Sequence, residues 1–369
     1  MPTGVIIFIR VVSGESVIQA LNEDEVFFSG FGEEPNFHML VNLVTSSDCY
    51  YLGMRVNPAI QGRLTRVATG NVGRPRLSAD GSTVVYERWN GENWDIERVR
   101  GGQMEAVSKD PRHDLGAQVS GDGEVVVFSR LNPDARDGAG SWDVYRWQDG
   151  KEAVVANSDA NESDPDISLD GKTIIYTYDD VEKTTGFDIH RCREGRCEEI
   201  TSDWPVDTDP RVSGDGERVV FRRKVRFDGG DIWLRDQNGT IKTITGDGLQ
   251  EFRPSFSDDG NTLVYSKSPD GKNEDLFLHD LATGRMETIG AADLNEREPE
   301  LSADGSLLVF TQSGKGASNI ALRQEGEIQV LTQEGFHRSP TVSADGQVIA
   351  WVGVDDSDSG RNVIYKFER

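Results

Sequence analysis

Seven copies of one short phrase organise this chain. Each copy contains an apolar residue, Ser, any residue, Asp and Gly, followed by a run rich in β-branched residues. The serines are 41 to 48 residues apart, and they are Ser78, Ser120, Ser168, Ser213, Ser257, Ser302 and Ser343. A period in the forties is typical of propellers and solenoids. The repeat therefore decides the fold class, and it identifies the commonest motif as architecture rather than chemistry.

One repeat unit, residues 206–247, divides into four short strands. Gly214-Asp215-Gly216 forms a turn after the first strand, because Gly accepts a positive φ and Asp bonds to its own backbone. A third strand begins at Asp231-Ile232-Trp233, and Asp236-Gln237-Asn238-Gly239 turns into the fourth. Four antiparallel strands per period form a propeller blade. The prediction is an all-β protein, a single β-propeller of four-stranded blades over residues 1–369.

Charge excludes several function classes. The 369 residues carry a net charge of −25, with a pI near 4.6. Such a surface repels phosphate backbones and anionic lipid, so we expect no nucleic-acid partner and no direct membrane insertion. The apolar run Val5–Ile9 is followed by Arg10; it is too short to cross a bilayer and lacks the features of a signal peptide.

Two of the three cysteines, Cys192 and Cys197, flank Arg193-Glu194-Gly195-Arg196 between strand-like runs. A tight turn places them opposite each other on neighbouring strands, within disulfide range. A disulfide there predicts a periplasmic or extracellular location. The alternative is a reduced pair on a cytoplasmic hairpin.

The repeat resembles that of the TolB-like family of WD-type propellers. The shared elements are a Pro, the apolar-Ser-x-Asp-Gly phrase and an Asp-Ile-Tyr-like third strand, over about residues 63–369. Ala117 departs from the pattern, because the other six blades have Pro there. The resemblance implies the propeller fold, and it also supports export. It does not choose a function, because such repeats occur in binding scaffolds, peptidase gating domains and some lyases.

The blade number depends on which segment closes the ring. The chain ends on a third strand, Asn362–Phe367, so an N-terminal segment must supply the fourth. If Val5–Val12 closes the ring, residues 16–70 form an eighth, degenerate blade. If Arg63–Thr69 closes it, the ring has seven blades and an N-terminal appendage. Length favours eight blades, which is the main prediction; seven is the alternative, with 71–369 as the clear repeats.

The candidate binding site is the channel mouth opposite the Ser-x-Asp-Gly turns. The loops on that face are long and varied, as binding loops on rigid scaffolds are. The residue before each blade's Pro and the residue two positions later should line the mouth. The selected residues are Arg74, Arg76, Asp164, Asp166, Asp209, Arg253, Glu298 and Glu300. They predict a polar or cationic ligand or a partner's tail there, or a water-filled channel with mutually neutralising charges.

Aromatic residues in or beside the same loops are candidate interface residues, because aromatics are enriched at protein interfaces. They are Trp89, Trp142, Trp204 and Phe252. The alternative is that they pack between blades.

Catalytic and metal signals are weak. No Gly-x-Ser-x-Gly elbow, P-loop or dinucleotide fingerprint occurs, and the five histidines have no ligand spacing. The acidic runs 132–138 and 355–360 offer hard oxygens that suit calcium, without an EF-hand register. We therefore predict no catalytic residue and no cofactor, with calcium as the single open alternative.

The sequence thus predicts a non-enzymatic, exported propeller that binds proteins or serves as a structural scaffold in a larger assembly. The alternative is a propeller enzyme, a metal-dependent lyase or hydrolase that acts on saccharide at the channel mouth.

Overall fold

A computed structural model describes most of the chain from residue 60 onwards. The described residues are 60–134, 140–180, 186–202, 205–225, 229–269, 271, 273–291, 293–314, 316–333, 335–355 and 360–369, together with 6–9, 25–27, 41–44, 49–51 and 55–57 near the N-terminus. They form strands, turns and bends. Among them there is no helix with the length and apolarity of a membrane span.

Short strands precede and then build the blades. The first six are β1 Ile6–Ile9, β2 Glu25–Phe27, β3 Val41–Val44, β4 Cys49–Tyr51, β5 Arg55–Val56 and β6 Arg63–Gly70. Blades 1 to 3 contain β7 Val72–Leu77, β8 Thr83–Trp89, β9 Trp94–Arg100, β10 Gln103–Ala106; β11 Asp114–Val119, β12 Val125–Asn132, β13 Ser141–Gln148, β14 Lys151–Ala156; and β15 Asn161–Ile167, β16 Thr173–Asp179, β17 Phe187–Arg193, β18 Arg196–Glu199.

The remaining strands complete the ring. Blades 4 to 6 contain β19 Val206–Val212, β20 Val219–Lys224, β21 Asp231–Arg235, β22 Ile241–Thr243; β23 Glu251–Phe256, β24 Thr262–Lys267, β25 Asp275–Asp280, β26 Met286–Ile289; and β27 Asn295–Leu301, β28 Leu307–Gly314, β29 Ala317–Gln324, β30 Glu327–Val330. The last strands are β31 Thr332–Gln333, β32 His337–Val342, β33 Val348–Asp355 and β34 Arg361–Glu368.

The ring has seven blades, so the prediction of eight is wrong and the seven-blade alternative is right. β6 pairs antiparallel with β34, with Gly70 opposite Asn362 and Arg63 opposite Glu368, and it completes a blade with β32 and β33. Val5–Val12 does not close the ring, because β1 within it pairs with β3 in a separate three-stranded sheet. Chain length is a poor guide to blade number when the N-terminal strands form other sheets.

The core lies between neighbouring blades. Between blades 1 and 2, for example, Val85 and Ile96 pack in one cluster with Val126 and Phe128, and all four are fully buried. Each such side chain contributes about 1.5–3 kcal/mol through burial. A blade thus buries its two faces only against its neighbours, which explains the runs of apolar residues in the second strands.

The Ser-x-Asp-Gly phrase is a hydrogen-bonded turn in every blade. In blade 1 the Ser78 hydroxyl donates to Asp80 Oδ1 at 2.6 Å, and the same oxygen accepts the backbone N–H of Ser82 at 2.9 Å. The Ser78 hydroxyl also accepts the N–H of Thr83 at 3.0 Å, which starts the second strand. Gly81 follows with φ of 67°. The Ser hydroxyl, the Asp carboxylate and the Gly backbone thus all serve the turn, as the architectural interpretation of the phrase predicts.

The residue at the variable position of the phrase joins each blade to the next. Its backbone N–H donates to the carbonyl oxygen of the equivalent residue in the following blade, at 2.8–3.0 Å in six of the seven steps. The participants are Ala79, Gly121, Leu169, Gly214, Asp258, Ala303 and Ala344. From blade 5 to blade 6 the donor is instead the N–H of Asp259, 3.3 Å from the Ala303 oxygen. We call this closed ring the backbone belt.

Candidate functional site

The first strands of neighbouring blades contact one another around the ring and line the central channel. Each of these strands carries a β-bulge where the pairing register shifts, next to the predicted mouth residues. The shifts fall between Gly73 and Arg76, Leu115 and Gln118, Ser163 and Asp166, Thr208 and Arg211, Phe252 and Ser255, Arg297 and Glu300, and Arg338 and Thr341. Bulges re-aim side chains, and here they do so seven times around one opening.

The residue before each Pro has a left-handed backbone conformation. The φ values are 46° at Arg74, 69° at Gly116, 51° at Asp164, 55° at Asp209, 51° at Arg253, 54° at Glu298 and 52° at Ser339. For a residue with a Cβ this conformation costs about 1–2 kcal/mol. Six of the seven positions bear that cost, and we call these seven residues the mouth ring.

Ion pairs organise part of the mouth ring. Arg253 Nη1 lies 3.3 Å from Glu298 Oε1, and the other Glu298 oxygen accepts the backbone N–H of Ser339 at 2.7 Å. Arg74 Nη1 lies 3.5 Å from the buried Glu87. The side chains of Arg74 and Arg253 nevertheless remain 64% and 54% exposed. Two guanidinium groups are therefore presented to solvent at this opening.

Asp164 adds an unusual acid to the mouth ring. It reaches solvent at the opening, yet surrounding protein and the charge of Asp209 raise its pKa, while Arg211 and Arg74 act in the opposite direction. The opening therefore presents both signs of charge within one ring.

A second ring of side chains lies two residues further along each first strand. Arg76 Nε donates to Gln118 Oε1 at 3.0 Å, and Arg76 Nη2 lies 3.9 Å from Glu300. The Asp166 carboxylate accepts the backbone N–H of Val212 at 2.8 Å. Burial raises the pKa of Asp166 although Arg211 stabilises its charge. The predicted charges of Arg76, Asp166 and Glu300 are thus partly neutralised by neighbours inside the channel.

The backbone belt passes through the seven variable positions of the Ser-x-Asp-Gly phrase. One of these positions carries a titratable side chain. Six of these positions hold Ala, Gly or Leu, and the seventh holds Asp258. Burial raises the pKa of Asp258 to about 6, and the charges of Asp166, Asp259 and Glu300 contribute. The structure thus adds Asp258 to the predicted acidic groups; its position in the repeat was visible in the sequence, whereas its coupling to Asp166 and Glu300 was not.

Two of the predicted aromatic residues, Trp89 and Phe252, pack against other side chains. Trp89 packs edge-on to Trp94 at 5.7 Å between ring centroids and stacks on His113 at 5.9 Å. Phe252 lies beneath the Arg222 guanidinium at 5.0 Å.

Trp142 is half-buried, and its backbone N–H donates to Asn161 at 3.2 Å. Trp204 lies outside the described residues. Trp89, Trp142 and Phe252 thus have different neighbours.

Sequence reasoning missed a set of buried acids three residues before the Pro position. They are Asp114, Glu162, Asp207, Glu251 and Glu296, and each is at most 1% exposed. Their constant position before the Pro was a usable signal.

Several of these acids pair with a base directly opposite on the second strand. Arg130 Nε, for instance, lies 2.7 Å from Asp114 Oδ1. The ion pairs lie between strands, away from the channel mouth.

The predicted disulfide pair and the side chains that bear on metal binding lie as follows. Cys192 and Cys197 face each other across β17 and β18 and are joined by a disulfide. His337 is buried and accepts the Trp351 indole N–H at 3.2 Å. Asp231, Asp247 and Glu251 bring carboxylate oxygens together, but Lys267 Nζ contacts Asp247 and lies 3.0 Å from Glu251. The acidic runs 132–138 and 355–360 lie partly outside the described residues.

Comparison with known proteins agrees with this geometry. The TolB beta propeller domain matches residues 148–368, more than half of the chain. The chain belongs to the TolB β-propeller family. The predicted resemblance is thereby confirmed. A search of curated proteins finds no significant match.

Solved structures of several kinds share the fold. An oligogalacturonate lyase from Vibrio parahaemolyticus has a TM-score of 0.63 at 13% identity, over 86% of this chain and 96% of the lyase. TolB from Acinetobacter baumannii has a TM-score of 0.50 at 19% identity, over 74% of this chain and 66% of TolB. A puromycin-hydrolysing peptidase from Mycobacterium tuberculosis has a TM-score of 0.59 at 15% identity, over 79% of this chain and only 53% of the peptidase. At these identities the likeness concerns the fold alone.

Proposed function

We propose that this TolB-family propeller is a non-catalytic binding module whose channel mouth receives a segment of a partner protein. The observation that carries the proposal is the mouth ring, in which the backbones of six residues other than Gly have a strained left-handed conformation. Backbone strain of this kind clusters at ligand sites, where the surrounding structure enforces it. The strain supports binding rather than packing, because Arg74 and Arg253 reach solvent instead of filling a core.

The chemistry of the opening favours an extended polypeptide with charges of both signs. Arg74 and Arg253 offer planar donors that suit carboxylates, and Asp164 and Asp209 offer acceptors that suit basic side chains or backbone N–H groups. The second ring of side chains adds Arg76 and Glu300. These two side chains are 3.9 Å apart, and each can also bind a group of the partner.

We further propose that the protein works in an exported assembly. The Cys192–Cys197 disulfide supports an oxidising compartment. The net charge of −25 favours a basic partner surface and suppresses self-association.

An enzyme that acts on saccharide is the second candidate. One observation favours it, namely that the chain matches an oligogalacturonate lyase over 96% of that protein's length. In this reading the guanidinium groups of Arg74 and Arg253 would bind acidic sugars.

The decisive experiment compares two variants of the full-length protein. Arg74→Asp with Arg253→Asp reverses the charge of the mouth ring, and Asp tolerates a left-handed backbone better than most residues. The matched control is Lys172→Glu, a 60% exposed residue beside a Ser-x-Asp-Gly turn on the opposite face. Affinity purification with quantitative mass spectrometry from cells that make the protein should recover a partner with wild type and with the control, and much less with the mouth variant.

A partner segment identified in this way is then tested as a peptide by calorimetry. Equal recovery with both variants contradicts binding at the mouth. Recovery of no partner, together with cleavage of acidic oligosaccharides by wild type but not by the mouth variant, supports the enzyme instead.

A further inference from the structure

Five first strands carry a buried acid, and three of these acids have a basic partner on the neighbouring strand of the same blade. In blades 2, 4 and 5 the buried acid of the first strand faces a base on the second strand of the same blade. The closest contacts are Arg130 Nε to Asp114 at 2.7 Å, Arg223 Nη2 to Asp207 at 2.7 Å and Lys267 Nζ to Glu251 at 3.0 Å. A buried carboxylate needs such a partner, because removing its charge from water is costly.

Blade 3 has the acid without the base. Glu162 is 1% exposed, and the residue opposite it on β16 is Tyr178. The Tyr178 ring stacks on His190 at 4.3 Å between centroids. Blade 6 also lacks a base, but there Gln312 Nε2 donates to Glu296 Oε1 at 3.0 Å. Blade 3 therefore has neither a cation nor an amide opposite its buried acid.

A second acid lies at the same interface. Asp143, on the third strand of blade 2, is 2% exposed, and its charge acts on Glu162. Glu162 Oε1 accepts the hydroxyl and the backbone N–H of Ser158. Within the part of the chain that the structure describes, Glu162 Oε2 and Asp143 Oδ1 are both buried without a hydrogen-bond partner.

The surrounding charges do not neutralise this pair. Arg112 acts on Asp143 from a distance, but its guanidinium already binds both oxygens of Asp110, at 2.6 and 2.8 Å. Asp159 adds further negative charge near Glu162. Burial raises the pKa of both acids, as it does for buried carboxyl groups in general.

We propose that the interface of blades 2 and 3 binds a hard cation, Ca²⁺, through Asp143 and Glu162. The ion takes the role that Arg130, Arg223 and Lys267 have in blades 2, 4 and 5, where each pairs with a buried acid. Ca²⁺ prefers carboxylate and hydroxyl oxygens and accepts irregular geometry. Its charge matches two carboxylates, and Ser141, two residues before Asp143 on the same strand face, adds a buried hydroxyl. Neither Asp143 nor Glu162 belongs to the mouth ring, and the site does not depend on the proposed function.

The test measures calcium content and thermal unfolding of the full-length protein after removal of metal with a chelator. Wild type should bind about one Ca²⁺ at this interface, and its Tm should rise by roughly 3–4 °C when Ca²⁺ reaches about 100 times its dissociation constant. Asp143→Asn and Glu162→Gln should each lose this ion and the rise in Tm. Glu327→Gln removes one exposed acid from β30, and this variant should retain both the bound ion and the rise in Tm.

Tyr178→Lys supplies a base like those opposite the buried acids of blades 2, 4 and 5. This variant should be as stable without calcium as wild type is with it, and it should no longer respond to Ca²⁺. If it fails to fold, the Asn and Gln variants still decide the question.

Two results overturn the proposal. One is calcium binding that Asp143→Asn and Glu162→Gln leave unchanged, which would place the ion elsewhere. The other is a Tm that does not change with Ca²⁺ and that falls as the pH rises and the carboxyl groups of Asp143 and Glu162 lose their protons. That result would show that the two carboxyls share a proton instead.

Discussion

The backbone N–H of Ala344 donates to the carbonyl oxygen of Ala79 at 2.8 Å, and this bond joins blade 7 to blade 1. The ring is thus closed twice, once by this last step of the backbone belt and once by the pairing of β6 with β34. Five of the seven belt positions hold Ala or Gly, and the other two hold Leu169 and Asp258.

The belt predicts that its glycines cannot be enlarged. A Cβ at Gly214 would lie 2.8 Å from Leu169 Cδ1 and 2.9 Å from the Asp258 carbonyl oxygen. Gly214→Ala should therefore lower the free energy of unfolding by about 1–3 kcal/mol, as overpacking does. Gly73→Ala is the matched control, because a Cβ there meets nothing within 4 Å. Urea unfolding measures both, and equal losses would contradict the steric role of the belt.

The mouth ring predicts that a β-branched residue cannot replace Asp209. Asp209 has φ of 55°, which Gly accepts freely and Val does not. Asp209→Gly should change the unfolding free energy by less than about 1 kcal/mol, whereas Asp209→Val should cost at least about 1–2 kcal/mol. Thr208→Val, one residue earlier on the same strand, should stay within about 0.5 kcal/mol. A harmless Asp209→Val would show that the left-handed conformation is not enforced.

Asp258 predicts a loss of stability at high pH. Its pKa is about 6 in the folded protein against an ordinary value of 3.8, so the folded state holds a proton that the unfolded state has lost between those values. The unfolding free energy therefore falls as the pH rises from about 4 to about 6, by at most about 3 kcal/mol. Asp258→Asn should remove this slope and stabilise the protein at pH 8, which urea unfolding across the pH range measures.

Asp259, the next residue, provides the opposite control. Burial acts to raise its pKa, but the Ser257 hydroxyl and the Asn261 N–H bind its carboxylate and hold the pKa below its usual value. Its stabilisation is present above the unfolded pKa and is lost as the pH falls. Asp259→Asn should therefore destabilise the protein at pH 7 by about 1–3 kcal/mol. If Asp258→Asn and Asp259→Asn change the unfolding free energy equally, the two carboxyl groups do not differ in environment as described.

The Cys192–Cys197 disulfide predicts a modest dependence on reductant. It closes a short loop, for which chain-entropy estimates give a stabilisation of about 2 kcal/mol. Cys192→Ser with Cys197→Ser should lower the unfolding free energy by that amount and abolish the effect of reductant. Intact mass with and without reductant should differ by two hydrogen atoms for this pair in wild type. Two free thiols in protein from its native compartment would contradict an oxidised pair there.

Sequence patterns predicted the blades well because each repeat carries its own turn chemistry. Ser78, Asp80 and Gly81 bond only to residues close by in the chain, so a local phrase suffices to specify them. The blade number was predicted wrongly because it depends on a pairing between β6 and β34, and no local signal reports a contact across the whole repeat region.

The conformation of the candidate site was not predicted. The residues before Pro were expected at the channel mouth, which stays a prediction, and their left-handed backbone was not expected for Arg, Asp and Glu. The one hint was blade 2, where Gly116 precedes Ala117. The buried acids were missed because attention fell on the channel. Glu162 and its unusual neighbour Tyr178 become informative only when the strands are aligned across blades.

The pairing of β6 with β34 also affects how the protein is made. Arg63–Gly70 leaves the ribosome long before Arg361–Glu368 exists, and at about 5–20 residues per second the wait is tens of seconds. During that time β6 lacks β34, one of its two partner strands, and the blades already synthesised expose an unfinished apolar face. Such distant pairing folds slowly and exposes edges to aggregation. Nascent chains that stall before β34 should therefore need chaperones more than the completed ring does.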